Sequence, residues 1–404
     1  MRKNGGYFME SSIKIRIAEV QNYLREAEID GWLIYDFLGL NRVSHEIFTF
    51  TGHLITRRWF YFIPSQGEPT LILHKIETVN FPKVPGKVRC YAGWQELFSI
   101  LKQVLEGHAR VAMEYSPQNA IPTVSFVDAG TFELLKEFIP EIVSSANLIQ
   151  YFTCRLNEDQ LQSHKRAAQI LHEAQKDAFE FIEKKLQHNE PLTEYDVQQR
   201  IMKRLHDQGF TSHSDAIVAV NDNASNPHYA PTQQNFRPIQ KGDCILIDLW
   251  AKEKKPGAIY GDITWVGYAG QTPPEQYVEI WEIVREARDL AVEFLRTNHA
   301  AGKVTHGFEV DEKVRQFIDS KGYGTYFFHR TGHSIDQDDH GKGVNIDSFE
   351  TRDLREIVPG LLFSIEPGIY LETFGVRTEI DVYYSEEGPQ VFTPQQNELV
   401  LMNV

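Results

Sequence analysis

Between His329 and His340 the chain reads His-Arg-Thr-Gly-His-Ser-Ile-Asp-Gln-Asp-Asp-His, which puts three imidazoles inside twelve positions. Imidazole can donate a proton, accept one or bind a metal near neutral pH, so such a concentration points to chemistry. His329 and His333 are four apart, a spacing that shares a face on a strand and on a helix alike. The preceding Gly322-Tyr-Gly-Thr-Tyr-Phe-Phe328 is aromatic and predicts a strand, after which His340 returns by a loop past Gln337, Asp338 and Asp339. In a chain with 15 histidines a polar surface loop explains this stretch equally well, unless its surroundings supply partners.

Carboxylates supply them. Asp248 lies inside Ile245-Leu-Ile-Asp-Leu-Trp250, a run that predicts a core strand, where an unpaired carboxylate costs several kcal/mol. Asp262 follows Gly261 on the facing arm of the same predicted hairpin. Glu366, in Phe363-Ser-Ile-Glu-Pro-Gly368, and Glu379, in Val376-Arg-Thr-Glu-Ile-Asp381, repeat the pattern on the last two predicted strands. Each alone has an ordinary explanation, as a strand-edge group or one paired with a neighbour such as Arg377. Together they outnumber the nearby basic side chains, whereas a pair of divalent cations would neutralise them. One imidazole completes a mixed oxygen and nitrogen donor set suited to Mn, Co, Fe or Zn, with room for a bridging water. Such a pair of ions lowers the pKa of that water towards neutrality, which predicts hydrolysis. The sequence has no His-Glu-x-x-His helix, and neither Ser214 nor Ser225 stands in a nucleophile-elbow context.

The elements that must position these groups belong to a chain of 404 residues, enough for two domains. Hydrophobic residues at 42% and aromatics at 12% predict a globular protein. A net charge of -15 without a basic block argues against nucleic acid or an anionic membrane as partner. Apolar runs are too short for a membrane span and Met1–Glu10 lacks a signal-peptide core, so a cytoplasmic location is expected. Cys90, Cys154 and Cys244, odd in number and far apart, read as small hydrophobes rather than as a disulfide or thiolate site.

Residues 1–152 alternate helices and strands. Ile13, Ile17, Val20 and Leu24 predict a helix after Ser11 and Ser12, Gly31 precedes the strand Trp32–Tyr35, and Trp59–Ile63 and Thr70–His74 flank a Pro-Gly turn. A helix over Trp94–Leu105, a strand over Arg110–Glu114 and a helix around Phe132–Phe138 complete an α/β sandwich with no catalytic constellation. His53, Arg57 and Arg58 read as solvated loop residues. Residues 153–404 form the second predicted domain. A long helix runs from Asn157 to about Leu186, and Thr193-Glu-Tyr-Asp196 opens another that Gly209 closes. Strands over Ser214–Val220, Leu361–Tyr370 and Val376–Tyr384, and helices around 275–297 and 309–321, frame the carboxylates. The order helix, helix, hairpin recurs, an architectural hint of internal duplication.

The second half resembles the pita-bread metallopeptidases, the family of methionine aminopeptidase, Xaa-Pro aminopeptidase and prolidase. The resemblance runs over about residues 155–400 in the order Asn226-Pro-His-Tyr229, Asp248, Asp262, Gly332-His333 with His340, Ile365-Glu366-Pro367 and Val376-Arg377-Thr-Glu379. It implies an α+β fold with a C-terminal pita-bread (creatinase/aminopeptidase) domain behind an N-terminal α/β creatinase-like domain, the arrangement of proline-directed members. It implies a dinuclear centre on Asp248, Asp262, His333, Glu366 and Glu379, with Asp262 and Glu379 bridging and Mn as the expected metal ahead of Co, Zn or Fe. Glu366 would move the proton from the attacking water to the leaving amine, and His228 and His340 would stabilise the oxyanion. His329 would line the substrate pocket or stand behind it. The implied substrate is a small X-Pro peptide and the implied assembly a homodimer.

Three departures bear on this. The aspartates are 14 apart, wider than the family spacing, with the surplus at the Glu253-Lys-Lys-Pro-Gly257 turn. Gly-His-Ser-Ile-Asp stands where Gly-His-Gly-Ile-Gly is usual, so Ser334 and Asp336 are expected to narrow the pocket or change its polarity. Thr378-Glu379-Ile380 replaces Ile-Glu-Asp, moving a supporting acid to Asp381 or removing it. Two competing functions follow: a creatinase-like hydrolase or lyase acting on a small nitrogen or sulfur compound, and a non-catalytic binding scaffold. Retention of every metal-binding position counts against the second.

Overall fold

The computed structural model describes residues 13–50 and 55–404. Met1–Glu10, the expected helix start at Ser11 and Ser12, and His53 lie outside the described residues. The chain divides into two compact units, Met1–Thr153 and Cys154–Val404.

The first unit contains α1 (Ile17–Glu26), β1 (Gly31–Asp36), α2 (Arg42–Ile47), β2 (Trp59–Pro64), β3 (Thr70–His74), β4 (Lys87–Tyr91), α3 (Trp94–Leu105), β5 (Arg110–Met113), α4 (Ala129–Lys136), β6 (Glu141–Ser144) and α5 (Ala146–Ile149). Its mixed sheet has the order β4-β3-β2-β1-β5-β6. Trp32, Ile34, Trp59 and Tyr61 pack on one face against Val20 and Leu24 of α1 and Val43 and Ile47 of α2. Leu33, Tyr35, Phe60 and Phe62 pack on the other against Leu97 and Leu101 of α3 and Leu135 of α4. Burial on both faces is why Trp59–Ile63 is apolar at every position. Ile13 belongs to a bridge with Phe48 rather than to the first helix.

The second unit opens with α6 (Glu158–Gln187), capped reciprocally by Asn157 and Gln160, and α7 (Glu194–Asp207), capped by Thr193 and Asp196. Gly209, at φ +81°, turns the chain out of α7. Then come β7 (Phe210–Thr211), β8 (Ile217–Val220), β9 (Cys244–Glu253), β10 (Gly261–Tyr268), α8 (Glu275–Ala300), α9 (Gly307–Ser320), β11 (Leu361–Ile365), β12 (Gly368–Tyr370), β13 (Gly375–Arg377), β14 (Ile380–Ser385), β15 (Gly388–Val391) and β16 (Val400–Leu401). One sheet runs β16-β10-β9-β7 with β8 also on β9; the others are β11-β14-β15 and the pair β12-β13. The apolar face of α6 covers the β9–β10 hairpin, so Leu171 and Ile182 share a core with Ile247 and Ile263. Among the described residues no helix is long and apolar enough to cross a membrane.

Four expected strands come out differently. Gly322–Phe328 forms a short 3-10 turn at Gly324–Tyr326 instead of a strand. Arg315 of α9 explains this: it donates to the carbonyls of Phe327 (3.0 Å) and His329, taking the place of a neighbouring strand. The expected strands over Leu361–Tyr370 and Val376–Tyr384 each break in two, at Glu366-Pro367 and at Thr378-Glu379. Pro367 has no N–H to continue a ladder. The N–H of Glu366 turns to the Thr331 carbonyl (2.7 Å) and that of Glu379 to the Thr264 carbonyl (3.1 Å). Both glutamates therefore stand where the main chain leaves one sheet for another. The strand expected over Ser214–Val220 is shortened to Ile217–Val220.

Candidate metal centre and active site

The hairpin register sets the first two carboxylates. Asp248 pairs across with Thr264 and Trp250 with Asp262, so Asp248 and Asp262 share one face, a diagonal step apart. The surplus at the Glu253–Gly257 turn lies beyond the Ala251–Gly261 pair and leaves this register alone. Thr264 donates its hydroxyl to Glu379 Oε2 (2.7 Å), tying β10 to the break between β13 and β14. The result is a buried group, Asp262, His333 and Glu379, whose ligand atoms all lie within 4.8 Å of one another.

His333 Nδ1 lies 3.1 Å from the Ser334 carbonyl, which calls for a proton on Nδ1 and leaves the Nε2 lone pair facing carboxylates. Nε2 is 3.3 Å from Glu366 Oε1 and 3.8 Å from Asp262 Oδ2. Burial, with the His340 and Arg330 charges adding, holds the His333 pKa well below the usual histidine value, so its neutral form dominates. Asp248 pairs through Oδ2 with Arg377, which also donates to Tyr370 Oη (2.8 Å) and Thr264 Oγ1 (3.2 Å) and lies 3.9 Å from Glu366.

Among the described residues, Asp248 Oδ1, Asp262 Oδ1 and Glu379 Oε1 are buried without a hydrogen-bond partner. Orphaned buried acceptors are rare and expensive, and those of Asp262 and Glu379 belong to residues that converge with an imidazole lone pair. Burial and mutual repulsion push the carboxyl pKa values of Asp262 and Glu379 well up. For Glu366 burial raises it to about 7, with Arg377 and Arg330 opposing and the Asp248 charge adding. Divalent cations are the complement such a donor set lacks, and the residues fit them.

Irregular chain carries the histidines, and buried acids hold it in shape. Asp311 accepts from the Thr331 and Ser348 N–H groups (2.9 and 2.8 Å), and Asp353 from that of Asn345 (2.8 Å). Ser334 and Asp336 serve the same end. Ser334 Oγ accepts from Gly343 N–H (3.0 Å), and Asp336 accepts from Asp338 and Lys342 N–H (2.7 and 3.0 Å). Their side chains fasten the loop to itself. His340 is exposed, its ring centroid 4.2 Å from that of His333. His228, also exposed, lies on the loop after β8, near enough for its charge to bear on His340. His329 has both ring nitrogens engaged, Nδ1 with the Arg330 carbonyl (2.7 Å) and Nε2 with Tyr370 Oη (2.8 Å). It joins a relay of hydrogen bonds, His329 to Tyr370 to Arg377 to Asp248, behind the carboxylates. Asp381 accepts the Asp262 N–H (2.9 Å), so an acid does back Asp262 from that position.

A model of metallopeptidase family M24 matches residues 162–386, more than half of the chain. The chain belongs to metallopeptidase family M24. Over 265 residues the M24 chain is 32% identical to an uncharacterized peptidase of Bacillus subtilis, covering 65% of this chain and 68% of that one. It is 31% identical over 220 residues to a Xaa-Pro dipeptidase of Lactobacillus helveticus, 52% of this chain and 51% of that one. Among solved structures, Xaa-Pro dipeptidase from Bacillus anthracis superposes with a TM-score of 0.61 at 25% identity, over 96% of this chain and 99% of the other. The prolidase from Pyrococcus horikoshii gives 0.60 at 23% identity, over 95% and 99%. The fold is thus the pita-bread fold of M24, and the chain is a metallopeptidase.

Two supporting residues of this M24 domain escape a reading of the sequence. Tyr370 reads as strand filler, and Glu194 as an acid in the first turn of a helix. Glu194, fully buried, accepts from the N–H groups of Val220 (2.8 Å) and Arg237 (2.7 Å), Asn223 Nδ2 (3.0 Å) and the Tyr229 hydroxyl. It thereby fixes both ends of the loop that carries His228. The one available signal was Asn226-Pro-His-Tyr229 itself, whose Tyr229 needed a buried partner.

Proposed function

We propose that this enzyme hydrolyses X-Pro bonds in small peptides, using two divalent ions, manganese foremost, bound by Asp248, Asp262, His333, Glu366 and Glu379. The observation that carries the reading is the convergence of partnerless carboxylate oxygens on the His333 lone pair. Bound ions would supply Lewis acidity, lowering the pKa of a water towards neutrality and polarising the scissile carbonyl. Glu366 is the proton carrier: its carboxylate would accept a proton from the attacking water and return it to the leaving nitrogen. A proline nitrogen is a tertiary amide, so its departure depends on that delivery. His340, beside His333, and His228 donate to the carbonyl oxygen as it gains charge. His329, with both nitrogens committed, orients Tyr370 and through it Arg377 and Asp248.

The X-Pro preference draws its support from the Xaa-Pro dipeptidases of Lactobacillus helveticus and Bacillus anthracis among the relatives. The test is to strip the full chain of metal, reconstitute it with Mn²⁺, and assay an X-Pro dipeptide beside a longer X-Pro peptide. Cleavage of the dipeptide alone defines a dipeptidase, and cleavage of both an aminopeptidase. Metal bound without turnover of either contradicts the proposal and favours a non-peptide amide.

A further inference from the structure

One buried acid in the centre has no part in the arrangement above. Asp339 is 6% exposed, and its Oδ1 has no hydrogen-bond partner among the described residues. Its carboxyl lies beside that of Asp262 and close enough to Asp248 and Glu366 for their charges to act on it. Its backbone carbonyl meanwhile faces the His333 ring. Loop geometry drives it there: Asp336 ties the N–H groups of Asp338 and Lys342, and the Gly341 N–H bonds the Ser334 carbonyl (2.7 Å), so the turn between them folds inward at Asp339. Asp338, the preceding residue, points its carboxylate at Lys342 (3.2 Å) and is exposed. The same short turn thus contains one acid facing solvent with a cationic partner and one facing the centre without any.

We propose that Asp339 is a further metal ligand, a carboxylate that joins Asp262 on the cation it holds and makes this centre richer in oxygen donors than the five-residue set alone. The inference rests on the metal-dependent reading above. Two carboxylates in contact inside a protein require a cation for both to carry charge, and the partnerless oxygens of Asp262 and Asp339 are the atoms that would meet it. An added carboxylate also biases the site towards hard, oxygen-seeking ions such as Mn²⁺ over softer Zn²⁺.

Calorimetric titration of the metal-stripped full chain with Mn²⁺ tests this, comparing wild type with Asp339→Asn, Asp339→Glu and the control Asp338→Asn. The expected result is a loss of about ten- to hundredfold in affinity for Asp339→Asn. Asp339→Glu should recover part of it, Asp338→Asn should match wild type, and the Co²⁺ absorption spectrum should change in Asp339→Asn. Equal Mn²⁺ affinity and an unchanged Co²⁺ spectrum in Asp339→Asn would overturn the proposal, because an amide can replace a hydrogen-bonding carboxyl but not an anionic ligand. Equal losses in Asn and Glu variants, with lowered melting temperatures of the metal-free proteins, would overturn it too, by showing a packing role. Failure of wild type itself to bind Mn²⁺ would instead refute the metal-dependent reading.

Discussion

Replacing Arg377 by Met should destabilise the metal-free protein by about 4 kcal/mol and the metal-loaded protein by about half as much. That figure follows from what Arg377 touches. It is 3% exposed, is ion-paired with Asp248, lies 3.9 Å from Glu366 and donates to Tyr370 and Thr264. Unit charges about 4 Å apart at an effective dielectric near 20 attract by roughly 4 kcal/mol, within the range of about 3–5 kcal/mol seen when one member of a buried pair is removed. Met keeps the length and apolar stem of the side chain, so most of the loss is electrostatic. Divalent ions would neutralise the same carboxylates, which is why loading should shrink the penalty. By linkage, the variant should then bind Mn²⁺ more tightly, by roughly thirtyfold for a 2 kcal/mol difference. Chemical denaturation at pH 8, with and without Mn²⁺, reads both terms, and titration reads the affinity. An equal loss in the two states, or an unchanged metal-free protein, would refute the claim that Arg377 and the cations share one set of charges.

Three further outcomes are expected. Glu366→Gln should lower kcat by about a hundred- to ten-thousandfold while the circular dichroism stays that of wild type, and an active variant would remove Glu366 from proton transfer. Glu194→Ala strands the Val220 and Arg237 N–H groups, at about 1–3 kcal/mol each; a lower denaturation midpoint and a reduced kcat are expected, and unaltered values of both would mean that the His228 loop needs no such anchor. His164 is fully buried, and burial holds its pKa down to about 4, opposed by the Tyr260 carbonyl. A histidine whose folded pKa lies below its unfolded value leaves stability untouched above about pH 6.5 and removes it as pH falls towards 4, by up to roughly 3 kcal/mol. Stability measured against pH for wild type and His164→Gln should diverge over that window, and parallel curves would contradict the assignment.

How much of this was legible in the sequence depends on how local the cause was. The capping boxes at Asn157 and Thr193 and the hairpin carrying Asp248 and Asp262 are written in adjacent residues, and they form where those residues place them. The strands carrying Glu366 and Glu379 were legible as strands but not as broken ones: Pro367 is a local mark of the first break, but the acceptors that receive the two glutamate N–H groups, the carbonyls of Thr331 and Thr264, are distant in sequence. Gly322–Phe328 has the composition of a strand, and only the reach of Arg315 from α9 decides otherwise. Ser334 and Asp336 were expected at the pocket because they sit beside His333; the main-chain N–H groups they accept from, those of Gly343 and Lys342, lie nine and six positions on, in a loop without periodicity. Asp339, Tyr370 and Glu194 act across sheets or loops, and nothing in their neighbours' identities announces that.

The central claim is that Asp248, Asp262, His333, Glu366 and Glu379 enclose divalent cations. Anomalous diffraction at the manganese edge from crystals of the Mn²⁺-loaded, active protein tests it most directly. The expected result is anomalous density enclosed by these five side chains. Full activity in crystals and solution with no anomalous peak among those residues would contradict it.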